Sequence, residues 1–156
     1  MNVIFWAELL VLVPACFYAS WSDTVQRRIP NWLCLLTAGA GLALAAYEAG
    51  LGGVGSHGLH LGVALAVGMV LFRFGMIGGG DAKFYAGCAG WFAWSQASRL
   101  LLSVSIAGLV LFLVWFTVRR IMRKPIGGRG SDDNFDKLPY GIAIAAGALI
   151  TAASAF

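Results

Sequence analysis

Six runs of apolar residues, joined by short links, leave this chain few ways to fold. They lie at about 3–21, 30–49, 59–74, 81–94, 100–118 and 138–155. A membrane-crossing helix needs about 20 such residues, with a range of roughly 17–25. A bilayer admits only structures whose backbone groups are paired internally, and helices do that within one segment. Composition points the same way. The chain is 60% hydrophobic and 12% charged, with a mean hydropathy of +0.80, whereas a soluble domain carries about 25% charged residues. The expected architecture is an all-α polytopic membrane protein of about six transmembrane helices. It forms a single domain over residues 1–156, with no room for a sizeable soluble one. The first run has no basic leader and no cleavage site of the A-x-A kind, so it reads as an anchor.

Basic residues set the orientation. Arg27 and Arg28 follow the first run, and Arg73 and Lys83 flank the link between the third and fourth. Arg119, Arg120, Arg123, Lys124, Arg129 and Lys137 follow the fifth. With alternating spans, these ten of the eleven Lys and Arg fall on one face, and only Arg99 falls on the other. By the positive-inside rule that face is cytoplasmic, and both chain ends lie outside. The net charge of +4 is therefore matched to anionic lipid and not to nucleic acid. Cys16, Cys34 and Cys88 sit inside apolar runs with no CxxC, as buried packing residues do. His57 and His60 are spaced to share a helix face, but no third ligand stands near them, so no metal site is expected. Gly62, Ala64, Ala66 and Gly68 give a spacing that lets helices approach closely, and Pro14 is a candidate kink.

Two carboxylates stand out. Asp23 closes the first run, inside a short polar turn at 22–31, and Asp81 opens the fourth behind Gly78, Gly79 and Gly80. Span counting puts both on the cytoplasmic side. A carboxylate at mid-membrane costs roughly 2.5–3.5 kcal/mol on insertion scales, and less near an interface. The plain reading is that Asp23 caps the second helix or pairs with Arg27, and that Asp81 is an N-cap. If spans one and four pack together, the two carboxyls instead meet across a shallow cleft. They then share a proton, and one takes a proton from water while the other donates to a peptide carbonyl. The pattern does not say which does which. The glycines suit a bendable backbone that can hold an extended substrate strand by hydrogen bonds. Lys83 can steady the carboxylates, contact substrate or anchor in lipid phosphate. A small transporter is the rival from another class, since transporters also use intramembrane carboxylates and broken helices. A noncatalytic membrane scaffold is a further alternative.

Gly78-x-Gly80-Asp81-x-Lys83 resembles the GxGD signature of the type IV prepilin leader peptidases. Asp23 with Arg28-Ile29-Pro30-Asn31 resembles that family's first-aspartate region, and Leu138-Pro139-Tyr140-Gly141 its Pro-aromatic-Gly stretch. The resemblance runs over nearly the whole chain. It implies a GxGD aspartic protease-like fold with Asp23 and Asp81 as the catalytic pair. Candidate substrate contacts beside that pair are Gly78, Gly79, Gly80, Lys83 and Pro139, and neither metal nor cofactor is expected. The implied partner is a prepilin, whose basic leader is cut on the cytoplasmic side of the bacterial inner membrane. Large members carry a cytoplasmic domain between the first two spans, often with paired CxxC motifs, and methylate the new N-terminus. Here that link is only about 22–29. The chain is therefore similar to the small peptidases of Flp-type, tight-adherence pili, with peptidase but not methyltransferase activity expected.

Overall fold

The computed structural model describes residues 6, 8–121 and 139–154. Most of the basic loop at 119–137, including Asp132, Asp133 and Asp136, lies outside them, as do Leu138 and the chain start. Every regular element among the described residues is helical. A π-helical turn, Glu8–Leu12, leads into α1, Val13–Gln26. The turn falls just before Pro14, whose ring excludes the regular bond to the preceding turn. Then come α2, Asn31–Arg73, α3, Gly79–Ala89, a 3-10 turn at Trp94–Gln96, α4, Ala97–Ile121, and α5, Tyr140–Ala153.

The glycine-rich link expected at 50–58 is helical. Only Gly50 breaks α2, at φ 57° and ψ −144°, a conformation that glycine alone adopts without strain. The break reverses the chain. Gly41 and Leu61 both lie against Gly90, yet twenty residues of straight helix would hold them about 30 Å apart. The arms of α2 therefore form a hairpin with α3 against both. Ile29 lies on Gly80 and Gly68 on Ala82 near one end. At the other end Ser56 accepts from Trp94 N–H at 3.0 Å. His57 and His60 bond the Gly90 and Phe92 carbonyls through Nδ1, each at 3.0 Å. These three side chains keep the polar link in helical form, and both histidines serve the fold.

Thus six helical segments stand in place of the six apolar runs, with corrected lengths. α3 has eleven residues, about 16 Å, roughly half the hydrocarbon thickness. α1 continues through the expected polar turn to Gln26. It stops at Arg27, which is left-handed at φ 54°, with buried Ser22 donating to the Arg28 carbonyl at 2.6 Å.

Asn31–Arg73 and Trp94–Ile121 are long and apolar enough to cross a membrane, and Tyr140–Ala153 is apolar but shorter. A soluble core helix passes the same length test but is mostly buried. Here only 17% and 11% of the most apolar windows are buried. Phe17, Leu35, Leu51, Leu102 and Ile106 all point outward. So much contiguous apolar surface has no stable place in water, and the chain is a membrane protein. The core is built from small residues. α5 lies on α4 so closely that a Cβ at Gly147 would overlap Val104, as small-residue packing between membrane helices requires. Packing divides the bundle: α2 holds α3, while α5 holds α1 and α4.

Candidate active site

Asp23 and Asp81 belong to different halves of this bundle, and one register brings them together. Cys16 and Asp23 are seven residues apart on α1, and Asp81 and Cys88 are seven apart on α3. Seven residues are two turns, about 10.5 Å of rise, with only ~20° of drift around the helix. α1 runs toward the level of Asp81 while α3 runs away from it. The Cys16 and Cys88 side chains lie together in the buried core. With those two side by side, the equal spacings bring Asp23 and Asp81 to one level two turns further on. The two carboxyls lie within electrostatic range, and Asp81 is likewise within range of the Tyr140 hydroxyl.

The Asp23 carboxyl is held by a backbone N–H. Asp23, 8% exposed, accepts from Gly141 N–H at 2.8 Å through Oδ2. Gly141 is the second residue of α5, behind the N-cap Pro139. There the unpaired N–H groups and the positive end of the helix dipole favour an anion. Asp23 therefore does not cap the helix that follows it, whose N-cap is Pro30. It sits on the start of the last helix, 118 residues away. Glycine is required at 141 because a Cβ there would stand 2.9 Å from Oδ2 and 3.0 Å from Cβ of Asp23. Arg27 lies within electrostatic range of Asp23 as well.

Asp81 is not an N-cap. Gly78 is, and Asp81, in the first turn of α3, folds its carboxyl back over Gly78. The glycine carbonyl accepts from Ala82 N–H at 3.0 Å. None of Gly78, Gly79 and Gly80 has a positive φ. In this link only Gly75 does, at 71°. The triplet is small for reasons of space: a Cβ at 78 would meet Asp81 Oδ2 at 2.7 Å, and Gly79 lies on the Phe72 ring. Lys83 is exposed and donates to Asn31 Oδ1 at 3.0 Å, tying the two polar motifs together. Pro139 caps α5 and is half-buried.

The residue that sequence reasoning misses is Gly141. Its motif is visible, but no local pattern reports that the first helix touches the last. Asp81 and Tyr140 also line one end of a cavity between the second arm of α2 and α4. Two carboxyls in one half-buried recess cannot both ionise cheaply. Two carboxyls placed so can hold one proton between them, the arrangement that general acid–base chemistry on water and a carbonyl requires.

Fold and recess together define a helical membrane protein with a carboxylate pair at one end of its bundle. Residues 10–113 match the sequence model of the type IV leader peptidase family, and the chain belongs to that family. The matched stretch holds both aspartates and ends before Pro139. No curated protein and no solved structure matches the chain significantly. Family membership carries protease activity of the leader-peptidase kind, with prepilins as the general class of substrate.

Proposed function

We propose that this chain is a six-span aspartic endopeptidase of the bacterial inner membrane. It removes the basic leader of Flp-type prepilins at the cytoplasmic face, with both chain ends on the periplasmic side. Asp23 and Asp81 are the catalytic pair. The observation that carries this reading is their approach from separate halves of the bundle, with Asp23 fixed by the Gly141 N–H.

In the reaction the ionised aspartate takes a proton from water, and the oxygen adds to the scissile carbonyl. The protonated aspartate gives its proton to the carbonyl oxygen, forming a neutral tetrahedral diol. On collapse the C–N bond breaks, a proton passes from the pair to the leaving nitrogen, and a diol hydroxyl returns its proton to the pair as the new carboxyl forms. The pair ends with one proton, as it began. No covalent intermediate forms. Lys83 acts through Asn31, holding the start of α3 to the start of α2. Gly78 acts through Asp81.

Co-expression with a prepilin and mass spectrometry of its N-terminus test the proposal. Wild type yields one cut between the basic leader and the apolar segment, with an unmethylated new terminus. Asp23→Asn and Asp81→Asn, expressed at wild-type level, leave the precursor intact. Normal processing by both variants ends the proposal.

A further inference from the structure

The cavity that Asp81 and Tyr140 close at one end has a volume of about 340 Å³. His60 and Trp94 close the other end. From Leu71 to His60 the wall runs eleven residues of helix, about 16 Å. Between the ends it is mainly apolar, with Ser98 and Ser105 among the lining, and Val67 on α2 and Leu101 on α4 line it while remaining 53% and 57% exposed. They stay exposed because α2 and α4 barely meet. The cavity is thus the floor of a lengthwise cleft that opens sideways, toward the lipid.

Size selects the occupant. A whole helix, 10–12 Å wide, would fill roughly 1,300–1,800 Å³ over this length. The cavity is far smaller and open along one side, so a helix can lie along the cleft with only one face inserted. A cavity of about 150 Å³ takes one benzene-sized group, so this one takes two large side chains. An acyl tail would satisfy the apolar walls, but it has nothing to offer the Asp81 carboxyl at the closed end. A peptide has both parts: apolar side chains for the walls and a polar backbone at the helix start for the carboxyl.

Resting on the leader-peptidase reading, we propose that this cleft seats the apolar helix that follows the scissile bond. That helix lies antiparallel to α4 with one face inward, and two large apolar side chains from its first three turns fill the cavity. Substrate enters from the bilayer, and the peptide bond preceding the helix arrives at Asp81. Selection then depends on side-chain bulk at spaced positions as well as on the leader.

Val67→Trp and Leu101→Trp narrow the cleft from its exposed wall without touching either aspartate, and Leu35→Trp, on an outward face, is the control. The purified full chain in nanodiscs is given two substrates: a prepilin with its apolar segment, and a peptide truncated a few residues after the cut. The narrowing variants should raise KM for the prepilin about tenfold or more, the loss expected when one large apolar side chain is excluded. The effect on the short peptide should be at least tenfold smaller, and Leu35→Trp should match wild type. Benzoylphenylalanine at position 67 should cross-link to the prepilin's apolar segment, and at position 35 to lipid alone. Unchanged KM in both narrowing variants, or lipid as the sole adduct at position 67, overturns the cleft assignment. If wild type cuts neither substrate, the leader-peptidase reading itself fails.

Discussion

Replacing Gly141 with alanine tests whether the active site is built as described. Position 141 lies in the first turn of α5 with ordinary helical backbone, and only Arg27, Gly50 and Gly75 have positive φ among the described residues. Alanine therefore fits the backbone, and within a helix it is favoured over glycine by up to about 1 kcal/mol. The added methyl, however, would sit 2.9 Å from Asp23 Oδ2 and 3.1 Å from Cγ. The backbone on both sides is fixed, so the carboxyl must move. Movement breaks or stretches the 2.8 Å bond from Gly141 N–H. A hydrogen bond to a charged group contributes about 1.5–3 kcal/mol, and a misplacement of about 1 Å costs on the order of 10²-fold in rate. At 1.36 kcal/mol per tenfold, these figures agree on a loss of roughly 10- to 100-fold.

The signature is a fall in kcat with little change in KM or in melting temperature, since helix propensity offsets part of the cost of weakening that bond. Rates come from timed cleavage of a prepilin by purified protein, and stability from thermal unfolding in detergent. Gly62→Ala is the neutral comparison, because nothing lies within 4 Å of a Cβ there. Gly147→Ala is the opposite comparison, since its methyl would overlap Val104 and force α4 from α5. It should lose stability and activity together. If Gly141→Ala cleaves at the wild-type rate, the bond between Asp23 and Gly141 does not position a catalytic group.

Other expectations follow from the same geometry. With Cys34 replaced by alanine and the inaccessible Cys16 and Cys88 kept, Asp23→Cys and Asp81→Cys together should form a disulfide under mild oxidation, located by peptide mapping; absence of the cross-link in folded protein contradicts the convergence of the pair. Processing should be bell-shaped in pH, with limbs belonging to the two carboxyls jointly, and a profile with a single limb speaks against a shared proton. Asn31→Leu removes the acceptor of the Lys83 ammonium, a charged donor whose exposure to solvent keeps the contribution to about 0.5–1.5 kcal/mol. The cost should be severalfold in activity, not abolition. EDTA should leave cleavage intact, measured on the same timed assay.

Much of the bundle is legible because apolar run length is a local property. The six runs correspond to six helical segments, and Asp23 and Asp81 are conspicuous wherever a carboxylate borders such a run. What is not legible are the boundaries set by partners far away in sequence. The link at 50–58 looks like a loop from its glycines. It is helix because Ser56, His57 and His60 find partners between Gly90 and Trp94. α3 looks like a full span, but Trp91 and Phe92 turn into the core and end it. The glycine triplet looks like a flexible hinge. It is a tight seat for Asp81 and Phe72, and the left-handed turn falls at Gly75 instead.

One signal in the sequence acquires its meaning only from the fold. The spacing from Cys16 to Asp23 repeats, in reverse order, from Asp81 to Cys88. Each pair marks one helix face at two depths, a polar carboxyl at the rim and a small thiol inside. Two antiparallel helices bearing such pairs have one register that satisfies both pairings. A slip of one turn would separate the carboxyls by about 5.4 Å along the axis and leave two buried thiols against unmatched neighbours. Depth and reach are thus set by different residues. The thiols, both essentially inaccessible, fix where α1 lies against α3, and Gly141 fixes how far the Asp23 carboxyl leans toward Asp81. Enlarging Cys88 to leucine should therefore spread the carboxyls and weaken their coupling, drawing the two limbs of the pH profile together. Shrinking Cys16 to alanine in that variant should restore part of the separation. If the compensating change leaves the profile where Cys88→Leu put it, the thiol pair does not set the register.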